Sequence, residues 1–108
     1  MAYYMVQAAY TAEAVAAMVK KPEDRASAIG PVVEKLGGKL VGLWFCFGEY
    51  DVVGISELPD NVSAAAFSFA VSQSGKLRAA KTTPLMTSGE AMKAMKKAAA
   101  VAYRPPGA

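Results

Sequence analysis

The sequence predicts an α+β domain: a four-stranded antiparallel sheet with its helices gathered on one face. Three observations predict it. Four stretches alternate or run apolar over strand lengths (Tyr3 to Tyr10, Lys39 to Phe47, Asp51 to Leu58, Leu77 to Leu85), helical spacing fills the two long gaps between them, and Gly48-Glu49-Tyr50-Asp51 folds the middle two strands back on each other. At 108 residues the chain is one domain, because neither half could bury a core of its own.

Tyr3 to Tyr10 places Tyr4, Val6 and Ala8 on one face and Tyr3, Met5, Gln7 and Ala9 on the other. Thr11 is an N-cap for a helix over Ala12 to Lys20, whose stripe is Val15, Met18 and Val19. Pro22 is predicted to open a second helix, with Glu23 and Asp24 favourable in its first turn and Ile29, Val32, Val33 and Leu36 on its apolar stripe. Gly30-Pro31 inside that stripe predicts a bend, because Pro31 leaves the carbonyl of Ser27 without its donor. Gly37 supplies a left-handed stop.

Lys39 to Phe47 is apolar on both sides, with Val41, Leu43, Phe45 and Phe47 opposite Leu40, Gly42, Trp44 and Cys46, so it needs two coverings. The hairpin pairs Cys46 with Asp51 and Trp44 with Val53, and Cys46 reads as a small core hydrophobe. Asp60 caps a helix over Val62 to Gln73 that is small and apolar nearly all round, which predicts deep burial. Leu77 to Leu85 completes the sheet, with Pro84 at its end or at an edge. Thr87-x-x-Glu90 is a capping box opening an extra C-terminal helix, with Met92, Met95, Ala99 and Ala102 on one stripe and lysines opposite. The domain is thus 1–104, and 105–108 is a frayed tail.

Strand, helix, two strands, helix, strand is the ferredoxin-like βαββαβ order, which leaves one sheet face bare. That face would carry aromatics such as Trp44 or Phe45, and the hydrophobic fraction of 54% is itself in excess. Sheet-to-sheet pairing of two subunits covers it. The sequence therefore predicts a homodimer, or a higher homo-oligomer, closed as a dimeric α+β barrel.

The stretch from Leu36 to Asp60 carries a GGKL opening, a Gly48-x-Tyr50-Asp51 turn and a Glu57-x-Pro59-Asp60 exit, and Tyr10-Thr11 precedes it. With these features the chain resembles the GYD domain family over roughly residues 2 to 95. The resemblance implies a dimeric ferredoxin-like barrel of small bacterial proteins whose biochemical role is not established.

The chain has no histidine, which excludes Ser-His-Asp and Cys-His nucleophile pairs, histidine zinc sites and histidine-ligated haem. One cysteine and scattered carboxylates form no metal-ligand pattern, and Gly37-Gly38 leads into a strand, so no phosphate-cradling loop exists. No metal and no cofactor is expected. The net charge of +3 gathers near the C-terminus at Lys93, Lys96, Lys97 and Arg104, which is no nucleic-acid footprint. No apolar run reaches the ~18 residues of a membrane span. A lone thiol behind an N-terminus without a leader pattern suggests the cytoplasm.

Asp51 and Tyr50 are the candidate catalytic pair, since a carboxylate in an apolar hairpin needs a hydrogen-bond partner or a raised pKa. The structural alternative is that Asp51 accepts backbone N–H bonds at the turn. Tyr4, Trp44 and Phe45 are candidate walls of a pocket for a small apolar ligand, and each serves equally as core or interface. Lys81 with Thr83 could anchor an anionic ligand, although a charge on an edge strand also deters aggregation. The leading reading is a small-ligand-binding or interaction module, and the alternative is a cofactor-independent isomerase or oxygenase using Asp51 and Tyr50.

Overall fold

A computed structural model describes residues 1–107. Its strands are β1 (Ala2–Tyr10), β2 (Lys39–Phe45), β3 (Val52–Leu58) and β4 (Leu77–Leu85), paired antiparallel in the order β2-β3-β1-β4. Its helices are α1 (Ala12–Lys20), α2 (Arg25–Lys35), α3 (Asn61–Ser72) and α4 (Ser88–Ala99). The α+β ferredoxin-like order is as the sequence predicts. No helix among the described residues is long and apolar enough to cross a membrane.

Alternation in β1 and β3 decides where the core sits. Tyr4 on β1 and Leu58 on β3 join Val33 of α2 with Ala64 and Phe67 of α3, so α2 and α3 cover the same sheet face. Leu58 and Val33 are almost fully enclosed, each worth about 1.5–3 kcal/mol of burial. The Tyr4 hydroxyl donates to Asn61 Oδ1 at 2.7 Å, which ties the start of α3 to β1.

The helix starts follow local capping chemistry. Thr11, Asp60 and Thr87 cap α1, α3 and α4 through their side chains, and Thr87 with Glu90 completes the capping box. Backbone N–H groups at these caps hold the carboxyls of Asp60 and Glu90 below the usual carboxylate range. Their contribution is present above the unfolded pKa and is lost as pH falls through the folded one. For α2 the expectation needs correction. Pro22 lies in the connection, and Asp24 is the cap, accepting from the Ala26 amide at 3.0 Å and the Ser27 hydroxyl at 3.2 Å.

Pro31 sits inside α2, which continues through it to Lys35. At Gly30 an added Cβ would meet nothing within 4 Å. Gly30→Ala is therefore expected to stabilise the fold by roughly 1 kcal/mol, read as a higher denaturant midpoint at unchanged slope.

Further corrections concern exposure. The hairpin ends at Phe45, and a loop from Cys46 to Asp51 follows, closed by the Cys46 amide donating to the Asp51 carbonyl at 2.8 Å. Cys46 is thus exposed rather than core, and Phe47 beside it is 98% exposed, because the loop extends past the sheet where no second layer reaches. Buried positions on α3 are only Ala64 and Phe67, while Val62 and Phe69 face solvent. A helix lying on one face of a sheet buries one stripe, whatever the composition of its outer side.

α4 buries none of its residues, leaving Met92 and Met95 exposed. The Cα radius of gyration is 17.4 Å, against the ~13 Å of a compact chain of this length. The opposite sheet face, with Tyr3, Met5, Val53, Ile55 and Trp44, carries no helix of the core cluster. Across it the Glu57 carboxylate, hydrogen-bonded to Tyr3, pushes the tyrosine pKa up.

Candidate functional site

Two bulges set the geometry of the covered face. On β2 the register shifts between Leu40 and Gly42, so Leu40 pairs with Ser56 while Trp44 keeps its predicted partner Val53. Leu40 therefore moves from the expected Trp44 side to join Leu43 and Phe45 on the helix side. A second shift at Ala9/Tyr10 pairs Tyr10 with Leu77 and brings Leu77 inward.

Between this face and the helices lies a cavity of about 340 Å³, within the ~300–1,000 Å³ of ligand pockets. Val6 and Ala8, Leu40 and Leu43, and Val52, Gly54 and Ser56 form its floor; Ala28, Ile29 and Val32 of α2 and Phe67, Ala70 and Val71 of α3 form its walls. Arg25, Ser74 and Lys76 also line it. It stays open because its floor carries small residues. A Cβ added at Gly54 would make only ordinary contacts, 3.7 Å from the Gly42 carbonyl oxygen and 4.0 Å from Leu40. The lining is overwhelmingly apolar.

The predicted site residues do not converge on this cavity. Tyr4 is core, 4% exposed, and is not part of the lining. Lys81 pairs with Gln7 and Thr83 with Met5, which puts both on the open sheet face together with Trp44. The Trp44 ring lies over Gly42 there, 2.5 Å from where a Cβ would stand. Phe45 stacks on Tyr10 with ring centroids 6.3 Å apart, and both border a more open cleft with Val15, Met18 and Asp51. Oδ2 of Asp51 accepts the Tyr10 amide at 2.8 Å, while the Asp51 amide donates to the Ala8 carbonyl at 2.9 Å. The Tyr50 carbonyl accepts from Cys46 Sγ at 3.3 Å. So Asp51 fastens the hairpin loop to β1.

Arg25, Ser56 and Lys76 escaped the sequence reading. The available signal was weak: Ala8, Gly54 and Ser56 are small residues at inward positions of apolar strands, where a filled core would carry larger ones.

The turn residues have a structural role as well as a sequence pattern. Gly48 adopts a φ of +127°, which side chains rarely tolerate, and Asp51 makes the anchoring contacts just described. A family model, the GYD domain, matches residues 4–95. The chain belongs to the GYD domain family. No curated protein matches this GYD domain in sequence. Three solved structures resemble its fold. An uncharacterized NIPSNAP domain protein from Burkholderia xenovorans is 19% identical with a TM-score of 0.51, covering 82% of this chain and 95% of its own. Protein Atu4242 from Agrobacterium tumefaciens is 16% identical with a TM-score of 0.50, covering 82% of this chain and 94% of its own. FFRP-DM1 is 13% identical with a TM-score of 0.50, covering 80% of this chain and 100% of its own. At these identities the likeness shows the fold alone.

Proposed function

We propose that this GYD domain is a cytoplasmic homodimer that binds a small, mostly apolar molecule in the cavity between sheet and helices of each subunit. The cavity carries the reading: an apolar space of about 340 Å³ left open in a chain this short forgoes packing that larger side chains would supply. The dimer rests on the uncovered sheet face and the unburied stripe of α4. Proton transfer by Asp51 and Tyr50, as in an isomerase or oxygenase, is the lesser reading, because Asp51 Oδ2 already serves the Tyr10 amide.

Filling the floor tests the binding reading. Native mass spectrometry of freshly purified protein is expected to find a bound small molecule that Gly54→Leu, folded by circular dichroism, has lost. A wild-type chain that carries nothing and gains no thermal stability from any apolar compound overturns it. Light scattering at micromolar concentration is expected to give twice the chain mass, and a stable monomer refutes the dimer.

A further inference from the structure

We propose that the occupant of this cavity is an apolar carboxylic acid, its carboxylate at the end lined by Arg25 and Lys76 and a second oxygen at Ser56. The proposal rests on the binding reading above and names its ligand class. Among the described residues two cations line the cavity and no carboxylate does. Arg25 Nη1 donates to Glu23 Oε1 at 3.0 Å, while its Nε–H is buried with no acceptor among the described residues. The Glu23 contact uses one of the four Nη N–H donors, and the others offer an incoming carboxylate charge-assisted bonds. Lys76 Nζ meets Glu13 Oε1 at 2.7 Å, a contact that uses one of its three donors. Glu13 and Glu23 are more exposed than the cations they pair with, 79% against 53% for Lys76 and 58% against 28% for Arg25, and neither lines the cavity.

The two cations share one end of the sheet. α2 returns antiparallel to β2 through Gly37-Gly38, which sets Arg25 level with the far end of β2. Lys76 immediately precedes Leu77, the partner of Tyr10 at the end of β1. Ser56 stands toward the other end, opposite Tyr4 and Leu40. It is 6% exposed, lines the floor, and its hydroxyl makes no hydrogen bond among the described residues. About 13 Å of strand separates Val52 from Ser56. The cavity is therefore lined by two cations at one end, apolar through its middle, and offers one unpaired hydroxyl at the other. An amine is repelled by the cations, and an uncharged alcohol offers them no charge-assisted bond.

Calorimetric titration of the full chain with submicellar decanoate, ω-hydroxydecanoate, decanol and decylamine tests this. Decanoate is expected to bind about tenfold tighter than decanol, with decylamine weakest. Arg25→Gln is expected to abolish the preference for decanoate, while Lys81→Gln, on the open face, leaves it intact. ω-Hydroxydecanoate should exceed decanoate in wild type and lose that advantage in Ser56→Ala. Equal binding of decanoate and decanol overturns the carboxylate assignment while the pocket stands. Equal loss in Arg25→Gln and Lys81→Gln overturns its placement. If neither compound binds, and Gly54→Leu behaves as wild type, the pocket reading falls too.

Discussion

Replacing Gly38 with alanine is expected to destabilise the fold by about 3 kcal/mol, the upper end of ordinary overpacking. The added Cβ would overlap the Glu57 backbone carbonyl oxygen and lie 2.8 Å from Leu58 Cδ2. Neither neighbour yields easily. The carbonyl belongs to β3, which pairs on both sides, and Leu58 is 1% exposed in the core. The Gly38 amide meanwhile donates to the Val33 carbonyl at 3.1 Å, which pins the backbone from the helix side. A fall of roughly 12–20 °C in the thermal midpoint follows. A variant melting within about 3 °C of wild type would mean that β2 and β3 part without penalty, and the account of this corner would be wrong. Gly54→Ala is the control, because the space there is ordinary.

Removing the Asp51 carboxylate is expected to cost about 2 kcal/mol, the range for hydrogen bonds to charged groups. Asp51→Ala leaves the Tyr10 amide without its acceptor at the point where β1 slips register and the hairpin loop joins it. Asp51→Asn keeps an oxygen at that position and should recover about half of the loss. Equilibrium denaturation measures the cost, and hydrogen exchange locates it: the Tyr10 amide should lose protection in Asp51→Ala and largely keep it in Asp51→Asn. If both variants are as stable as wild type, with the Tyr10 amide still protected, Asp51 is not the anchor, and its free role in proton transfer regains its standing.

Much of the fold was legible in particular residues. Thr11, Asp60 and the Thr87/Glu90 box announce three helix starts, since capping is a contact within one turn of chain. The start of α2 is ambiguous in the sequence because Pro22 and Asp24 both carry start signals two residues apart, and only the Asp24 side chain makes the capping bonds. The candidate site was far less legible. Trp44, Lys81 and Thr83 are conspicuous by chemistry, yet they share the open face. The cavity owes its space to small floor residues such as Ala8 and Gly54, which carry no chemistry that marks them in a sequence, and Arg25 and Lys76 reach it from a helix start and a loop that lie far apart in sequence.

The sequence by itself determined the elements, the hairpin register at Trp44 and Val53, and the family, because periodicity, turn chemistry and capping act between residues near in the chain. Only the tertiary structure decided which sheet face the helices cover, where the two bulges fall, and that a cavity remains beneath α2 and α3. β2 is apolar on both sides, so its pattern reads the same whichever face is buried, and one extra residue at Val41 reverses the side that Leu40 presents. That choice is made by long-range packing against Val33 and Phe67, which no local pattern encodes.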